Sequence, residues 1–367
     1  MSKDIDNRCT MPFTGISELA LYNGTVATCC KTPYVPLDPK NGVLTKELIE
    51  LRTSIIKNER NEQCKSCWEI DDNGGPSQRR RNSHHFTHPL DWDNLDPLQP
   101  VRHIGVAFSN KCQLMCVYCS PTVSSMWEAS QDQFSDFKSP ALKVETPPNI
   151  KDVVDTDNLL SIHISGGEPM LEPACTSFLL DLPFKHDRKI GMVTNLSYGP
   201  ATFDVLQQII KCHPNIGISC SLDAIGENVS RKYFNWELWE RNFLELAKTW
   251  LPRFRIFPNA YLHINITVSV LNYKNIQEII DYIISFKRRG IPIKFDINPV
   301  GSYEFASLAS IEIDRSIKIE IKDSDIRLFN ERELEIIRNF NDLIQQSVHN
   351  KSLEKPTKVF LIKYLAK

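Results

Sequence analysis

The sequence predicts an α/β fold preceded by a small cysteine-rich domain. Three observations carry that prediction. From Val101 onward, apolar strand-like runs alternate with helical patterns, which argues for parallel βα units. The 367 residues are 41% hydrophobic and 24% charged, ordinary for a globular chain of about two domains. Ahead of the alternating units, Cys9, Cys29, Cys64 and Cys67 gather in one N-terminal region. On this reading residues 1–90 form the cysteine-rich domain and a linker, 91–305 the α/β core, and 306–367 a C-terminal helical extension.

In the N-terminal region, Cys9, Gly24 and Cys29 read C-x14-G-x4-C, and Cys64 and Cys67 follow as C-x2-C. Tyr22-Asn23-Gly24-Thr25 reads as a hairpin turn, because Asn-Gly favours the positive-φ geometry. Such a hairpin returns Cys29 toward Cys9, and the Cys64/Cys67 pair can complete four ligands. Four thiolates also suit a closed structural zinc site, so spacing alone leaves zinc and iron–sulfur open. Cys30 reads as a spare, non-ligand thiol. A zinc deaminase reading fails, since no H-x-E motif is present and Gln63 stands where proline is expected. Gly74-Gly75-Pro76-Ser77 marks a loop. Arg79, Arg80 and Arg81 suit an anion, but such a run reads first as a solvated face. His84, His85 and His88 lack the spacing of a ligand set.

Six strands are expected in the core: Val101 to Phe108, Leu160 to Ser165, Lys189 to Asn195, Ile216 to Leu222, His263 to Val270 and Ile293 to Ile297. Helices are expected near Ser124 to Ser130, Phe203 to Cys212 and Asn275 to Arg288. Asp132 to Asp157, rich in charge and proline, reads as an insertion. Glu331 to His349 is an amphipathic helix, with Leu334, Ile337, Phe340 and Ile344 at helical spacing, suited to covering a sheet edge.

The chemistry is concentrated after the first strand. Cys112, Cys116 and Cys119 are spaced C-x3-C-x2-C, in a turn marked polar by Asn110, Lys111 and Gln113. Three local thiolates suit an iron–sulfur cluster with one iron left open. Ser165-Gly166-Gly167-Glu168-Pro169 ends the second strand, and Gly166 and Gly167 let backbone approach a neighbour closely. In open parallel sheets ligands sit at the carboxyl ends of strands, where Asn195, Ser221, Asp223 and Asn272 fall.

These motifs, in this order on successive strand ends, resemble the radical S-adenosylmethionine (SAM) superfamily. The resemblance implies a partial (β/α)6 barrel, a 4Fe–4S cluster on Cys112, Cys116 and Cys119, and SAM on the open iron. It implies reductive cleavage of SAM to a 5′-deoxyadenosyl radical, which abstracts a substrate hydrogen atom. It places Tyr118, Val270 and Leu271 beside the adenine, and Gly166, Gly167 and Glu168 at the SAM ammonium. Asn195, Ser221 and Asp223 would meet the ribose or carboxylate, and Arg231 would anchor the carboxylate. The C-x14-G-x4-C and C-x2-C pieces resemble the SPASM and twitch domains, which hold an auxiliary 4Fe–4S cluster. Here that region precedes the core, whereas in better-known members it follows.

An auxiliary cluster implies net oxidation or cross-linking of a peptide or small molecule, with a reducing partner such as flavodoxin or ferredoxin. Epimerisation is the alternative and needs a thiol hydrogen donor. Cys220 is the candidate, with Cys175 and Cys212 expected to be buried packing residues. A non-catalytic cluster or zinc protein is the third reading, and methyl transfer lacks a cobalamin domain. The formal net charge of −2 gives no basic field for nucleic acid. No apolar run spans a membrane, and the N-terminus lacks a signal-peptide core. Eleven cysteines without an export signal argue for metal binding in a reducing cytoplasm.

Overall fold

The computed structural model describes residues 8–75, 77–82, 91–130, 132–134, 146–257, 259–300 and 306–365. His84, His85 and His88 lie outside them, as does the side chain of Arg81. Among the described residues there are eleven strands: β1 (Gly15–Ala20), β2 (Thr25–Ala27), β3 (Val35–Pro36), β4 (His103–Ala107), β5 (Met115–Cys116), β6 (Ser161–Ser165), β7 (Lys189–Thr194), β8 (Gly217–Ser221), β9 (Arg231–Lys232), β10 (Tyr261–Val268) and β11 (Ile293–Pro299). The six strands expected in the core are β4, β6, β7, β8, β10 and β11. Each lies within two residues of its expected bounds. The chain is a mixed α/β protein with a large parallel sheet, consistent with the fold that the resemblance implies.

The chain divides into two compact units. The first comprises Met1–Ser109, Leu142–Gly166 and Asp187–Lys189; the second comprises Asn110–Ala141, Gly167–His186 and Ile190–Lys367. These are not the sequence-based divisions at 90 and 305. The N-terminal strands do not end a separate domain, because β1 pairs in parallel with β4, from Gly15 opposite His103 to Ala20 opposite Ala107.

In the first unit the strand order is β6-β4-β1-β2-β3. The expected hairpin is present: β1 and β2 are antiparallel, and Glu18 faces Ala27. Its turn is longer than two residues. Leu21–Asn23 makes one 3-10 turn, Gly24 follows at φ 65°, and the Asn23 side chain accepts from the Thr25 N–H and hydroxyl. Helix Lys46–Ile56 starts at a Thr45 cap, whose side chain accepts from the Leu48 N–H. The buried face of that helix brings Leu51 and Ile55 against Phe13 and Cys9. Arg52, fully buried, donates to the carbonyls of Pro12, Pro97 and Gln99, each at 2.7 Å.

In the second unit β7, β8, β10 and β11 run in parallel. β10 alternates strictly: Leu262, Ile264, Ile266 and Val268 are buried, and Tyr261, His263, Asn265 and Thr267 line the other, half-open face. Helix Glu331–Gln346 packs on the edge strand β11, with Ile337, Phe340 and Ile344 buried, as its periodicity predicts. A capping box on Asn330 and Glu333 starts it. Lys287 closes a buried ion pair on Glu333 at 2.9 Å.

Candidate active site

The cysteine loop lies wholly in the second unit and is clamped from several sides. β5 pairs antiparallel with β9, Cys116 opposite Arg231. The short helix Ser125–Ala129 holds the loop through two hydroxyls. Ser125 Oγ accepts from the Cys112 N–H at 3.1 Å, and Ser124 Oγ donates to the Leu114 carbonyl at 2.8 Å. Trp127 Nε1 donates to the Cys116 carbonyl at 2.7 Å. The Cys119 N–H returns to the Cys116 carbonyl at 3.0 Å, which turns the last two thiols together. Every backbone polar group tied down in this way removes freedom from the ligand loop.

Asp223 organises the residues around it. Its carboxylate is fully buried and accepts from the Tyr118 hydroxyl and from the Thr267 N–H at 3.0 Å. Arg231, also buried, forms an ion pair with it: Nε lies 2.8 Å from one carboxylate oxygen, and Nη2 donates to the other at 3.3 Å. The same guanidinium lies 5.4 Å over the Tyr118 ring and donates to Cys116 Sγ at 3.6 Å. The Cys119 thiol donates to Cys116, and Arg231 adds a nearby positive charge. Together they hold Cys116 below the ordinary thiol range despite burial. Arg231 itself is pulled down by burial but lifted well above its ordinary value by Asp223, Tyr118 and Cys116. Burial pushes the Cys112 thiol up to about 12.

The Gly-Gly-Glu motif is tied to the cysteine loop. Gly166 has φ 109°, a conformation that glycine alone adopts without strain. A Cβ on Gly167 would lie 2.3 Å from the Lys111 carbonyl oxygen, so this glycine lets its backbone pack on the cysteine loop. The Glu168 N–H then donates to that carbonyl at 2.7 Å. The Glu168 carboxylate is 1% exposed and accepts from Thr194 Oγ1 at 2.7 Å, the Asn195 N–H at 2.6 Å and the Met170 N–H at 3.3 Å. It braces the end of β7. Burial still pushes it up to about 7 against those three donors.

Asn195, Ser221 and Asp223 are buried too, and their partners are protein groups. Asn195 exchanges two amide hydrogen bonds with Gln113, at 2.9 Å and 3.1 Å, and lies 3.9 Å from Cys112 Sγ. The Ser221 carbonyl accepts from Trp239 Nε1. Asp223 and Arg231, which the resemblance puts at the ribose or carboxylate, pair with each other, as adjacent buried opposite charges do. Leu271 packs with Tyr118 and Cys119 on the Met115–Val117–Trp127 core. Val270 is buried.

Sequence reasoning missed Gln113, Trp127 and Thr267, whose partners are distant in the chain. It also missed a chain of polar contacts across three strands. Ser219 Oγ lies 2.8 Å from His263 Nδ1, and His263 Nε2 lies 3.1 Å from Asp296 Oδ2. Ser219 and Cys220 alternate along β8, so Cys220 points away from the face that carries His263. A cavity of about 620 Å³ lined by Tyr273, Lys274, Gln277, Arg288 and Asp325 contains none of the expected site residues.

In the first unit Cys9, Cys29, Cys64 and Cys67 line one small cavity, together with Leu51 and Arg79. Cys30 is exposed and is not among the lining residues. Arg79 is buried, contrary to a solvated basic face. Burial pushes the Cys9 thiol up to about 11, and Cys29 and Cys64 to about 12. Without a cation these groups stay protonated; binding a metal or cluster exchanges those protons for it. Among the described residues no three His, Cys, Asp or Glu side chains form a ready-made single-ion site. Both sets fit in donor chemistry: soft thiols, three on one loop and four around one cavity.

Residues 106–283 match the Radical SAM superfamily, so this stretch is a radical SAM domain. The chain is also similar to the GTP 3',8-cyclase of Nautilia profundicola (strain ATCC BAA-1463 / DSM 18972 / AmH). The two are 22% identical over 199 residues, which make up 53% of this chain and 55% of the relative. The chain thus spans about half the length of that curated relative. The domain implies an enzyme of SAM-dependent radical chemistry, with a 4Fe–4S cluster and SAM as its cofactors. No described helix is long and apolar enough to cross a membrane.

Proposed function

We propose that this protein is a radical SAM oxidoreductase, oxidising or cross-linking a peptide or small molecule, with a second cluster in the N-terminal thiol site as electron acceptor. Cys112, Cys116 and Cys119 would hold the cluster, which would supply the one-electron chemistry for reductive SAM cleavage and hydrogen-atom abstraction from the substrate. The protein's own residues orient and shield. β5, β9 and helix Ser125–Ala129 hold the three ligands in one loop. Arg231 places positive charge at Cys116 and stacks on Tyr118, while Asp223 fixes both. Glu168 joins the cysteine loop to the end of β7.

The observation that carries the oxidative reading is the cavity shared by Cys9, Cys29, Cys64 and Cys67, since four thiols give the N-terminal site a complete ligand set. Epimerisation loses support from the facing of Cys220, which shares no face with the half-open side of β10. An electron donor of the flavodoxin or ferredoxin type and a cytoplasmic setting belong to the same proposal. The relative's name gives GTP as the molecule it cyclises, so GTP belongs in the first substrate panel beside peptides.

The test is iron, acid-labile sulfide and zinc per chain after anaerobic reconstitution, followed by SAM cleavage under strong reductant. About eight iron and eight sulfide with little zinc is the expected result. About four iron with one zinc would make the N-terminal site structural and move redox-neutral reactions ahead of oxidation.

A further inference from the structure

We propose that Arg79 is the charge-balancing residue of the N-terminal thiol site and sets how readily the group held there accepts an electron. This rests on the reading that the site holds an iron–sulfur cluster. Arg79 lines the cavity with all four thiols. Its guanidinium is fixed on three sides. Asp71 Oδ2 accepts from Nε at 3.0 Å and from Nη2 at 2.5 Å, and the Arg8 carbonyl accepts from Nη1 at 3.2 Å. The Trp68 ring lies 4.8 Å from Cζ.

Asp71 is placed by the element that carries a ligand. Helix Lys65–Asp72 contains both Cys67 and Asp71, four residues apart and so on one helix face. Asp71 also takes a contact from Arg80 at 3.0 Å, so two arginine cations gather at this one carboxylate. Four thiolates around a buried cavity need such compensation, because uncompensated buried charge is costly.

Each electron added to a cluster adds negative charge beside this fixed cation. The reduced form is therefore favoured by Arg79, since cluster potential follows local net charge. Removing the cation lowers the midpoint; removing Asp71 raises it. A residue that merely supports the fold would not shift the potential in opposite directions for the two members of one ion pair.

The experiment is an anaerobic redox titration with dithionite, followed by electron paramagnetic resonance. It uses the full chain with Cys112, Cys116 and Cys119 replaced by alanine, so only the N-terminal cluster reports. Arg79→Gln should shift its midpoint downward by at least a tenfold change in the oxidised-to-reduced ratio, about 59 mV for one electron. Arg79→Lys should retain most of the wild-type value, and Asp71→Asn should shift upward. An unmoved midpoint in loaded Arg79→Gln overturns the proposal. If Arg79→Gln does not load, equal midpoints in Arg79→Lys, Asp71→Asn and the parent overturn it. A parent that binds zinc and gives no cluster signal overturns the iron–sulfur reading itself, before any substitution at Arg79.

Discussion

The two cysteine sets differ in how the chain assembles them. Cys112, Cys116 and Cys119 sit on one loop, and their neighbours hold that loop by hydrogen bonds to its backbone. Cys9, Cys29, Cys64 and Cys67 come from separate segments, and an apolar core of Phe13, Leu51 and Ile55 holds Cys9 and Cys64 in place. The first set is local and should persist through modest losses of packing. The second is tertiary, so its ligand geometry is only as good as the core beneath it. Local and tertiary sites therefore fail for different reasons.

The sharpest way to break that comparison is to remove one loop ligand. Cys116→Ala should abolish SAM cleavage while leaving about four of about eight iron in place, read by iron assay and 5′-deoxyadenosine formation. Retained cleavage would sink the assignment of the SAM-binding cluster. The reverse effect should come from packing. Leu51 is fully buried and lines the thiol cavity, so Leu51→Ala should cost about 2–5 kcal/mol of stability. It should lower the iron content toward that of the loop cluster alone, and unchanged iron with a lowered melting temperature would detach the ligands from the core.

Arg231→Lys tests the shell around the loop. Lysine keeps the charge but loses the two-point guanidinium contact with Asp223 and the stacking on Tyr118. Cluster loading should survive and SAM cleavage should slow by about 10- to 100-fold, the usual range for outer-shell partners of a metal site. The smallest effect is expected at Asp296. Its hydrogen bond from His263 holds the carboxyl below the usual range, while burial opposes this. A depressed carboxylate contributes stability above its unfolded pKa, about 3.9, and loses it as pH falls through the folded value. The pair is partly exposed, so Asp296→Asn should cost no more than about 1 kcal/mol at pH 7. That cost should shrink in melting curves as the pH drops below about 3.9 and be gone once it has passed the folded value; one that does not shrink would mean the cost is not electrostatic.

What was legible in the sequence follows the same local–tertiary line. The strands of the core and the thiols of the loop were readable because alternation and ligand spacing are short-range signals. The Asn23-Gly24 turn was readable too, although its extra 3-10 turn was not. The pairing of Asp223 with Arg231 was not, since the sequence shows two candidate ligand contacts and hides that they neutralise each other. The three protein donors on the Glu168 carboxylate were not legible either, because Thr194 and Asn195 lie 26 and 27 positions away. Gln113 was visible only as a polar turn residue, because its partner Asn195 lies 82 positions away. Arg79 looked like one of a solvated run; only the buried Asp71 gives it a reason to turn inward. Cys212, expected in the core, is exposed at the last position of helix Pro200–Cys212, whereas Cys175 is buried as expected.

The parallel ladder between β1 and β4 sets where this chain can be cut. A truncation starting at residue 91, chosen to isolate the radical SAM domain, would strip β4 of the neighbour that pairs with it from His103 to Ala107. The N–H and C=O groups facing β1 would become an open edge, ready to recruit another chain. Such a fragment is expected to precipitate or self-associate, so the shortest useful expression product keeps the N-terminal strands.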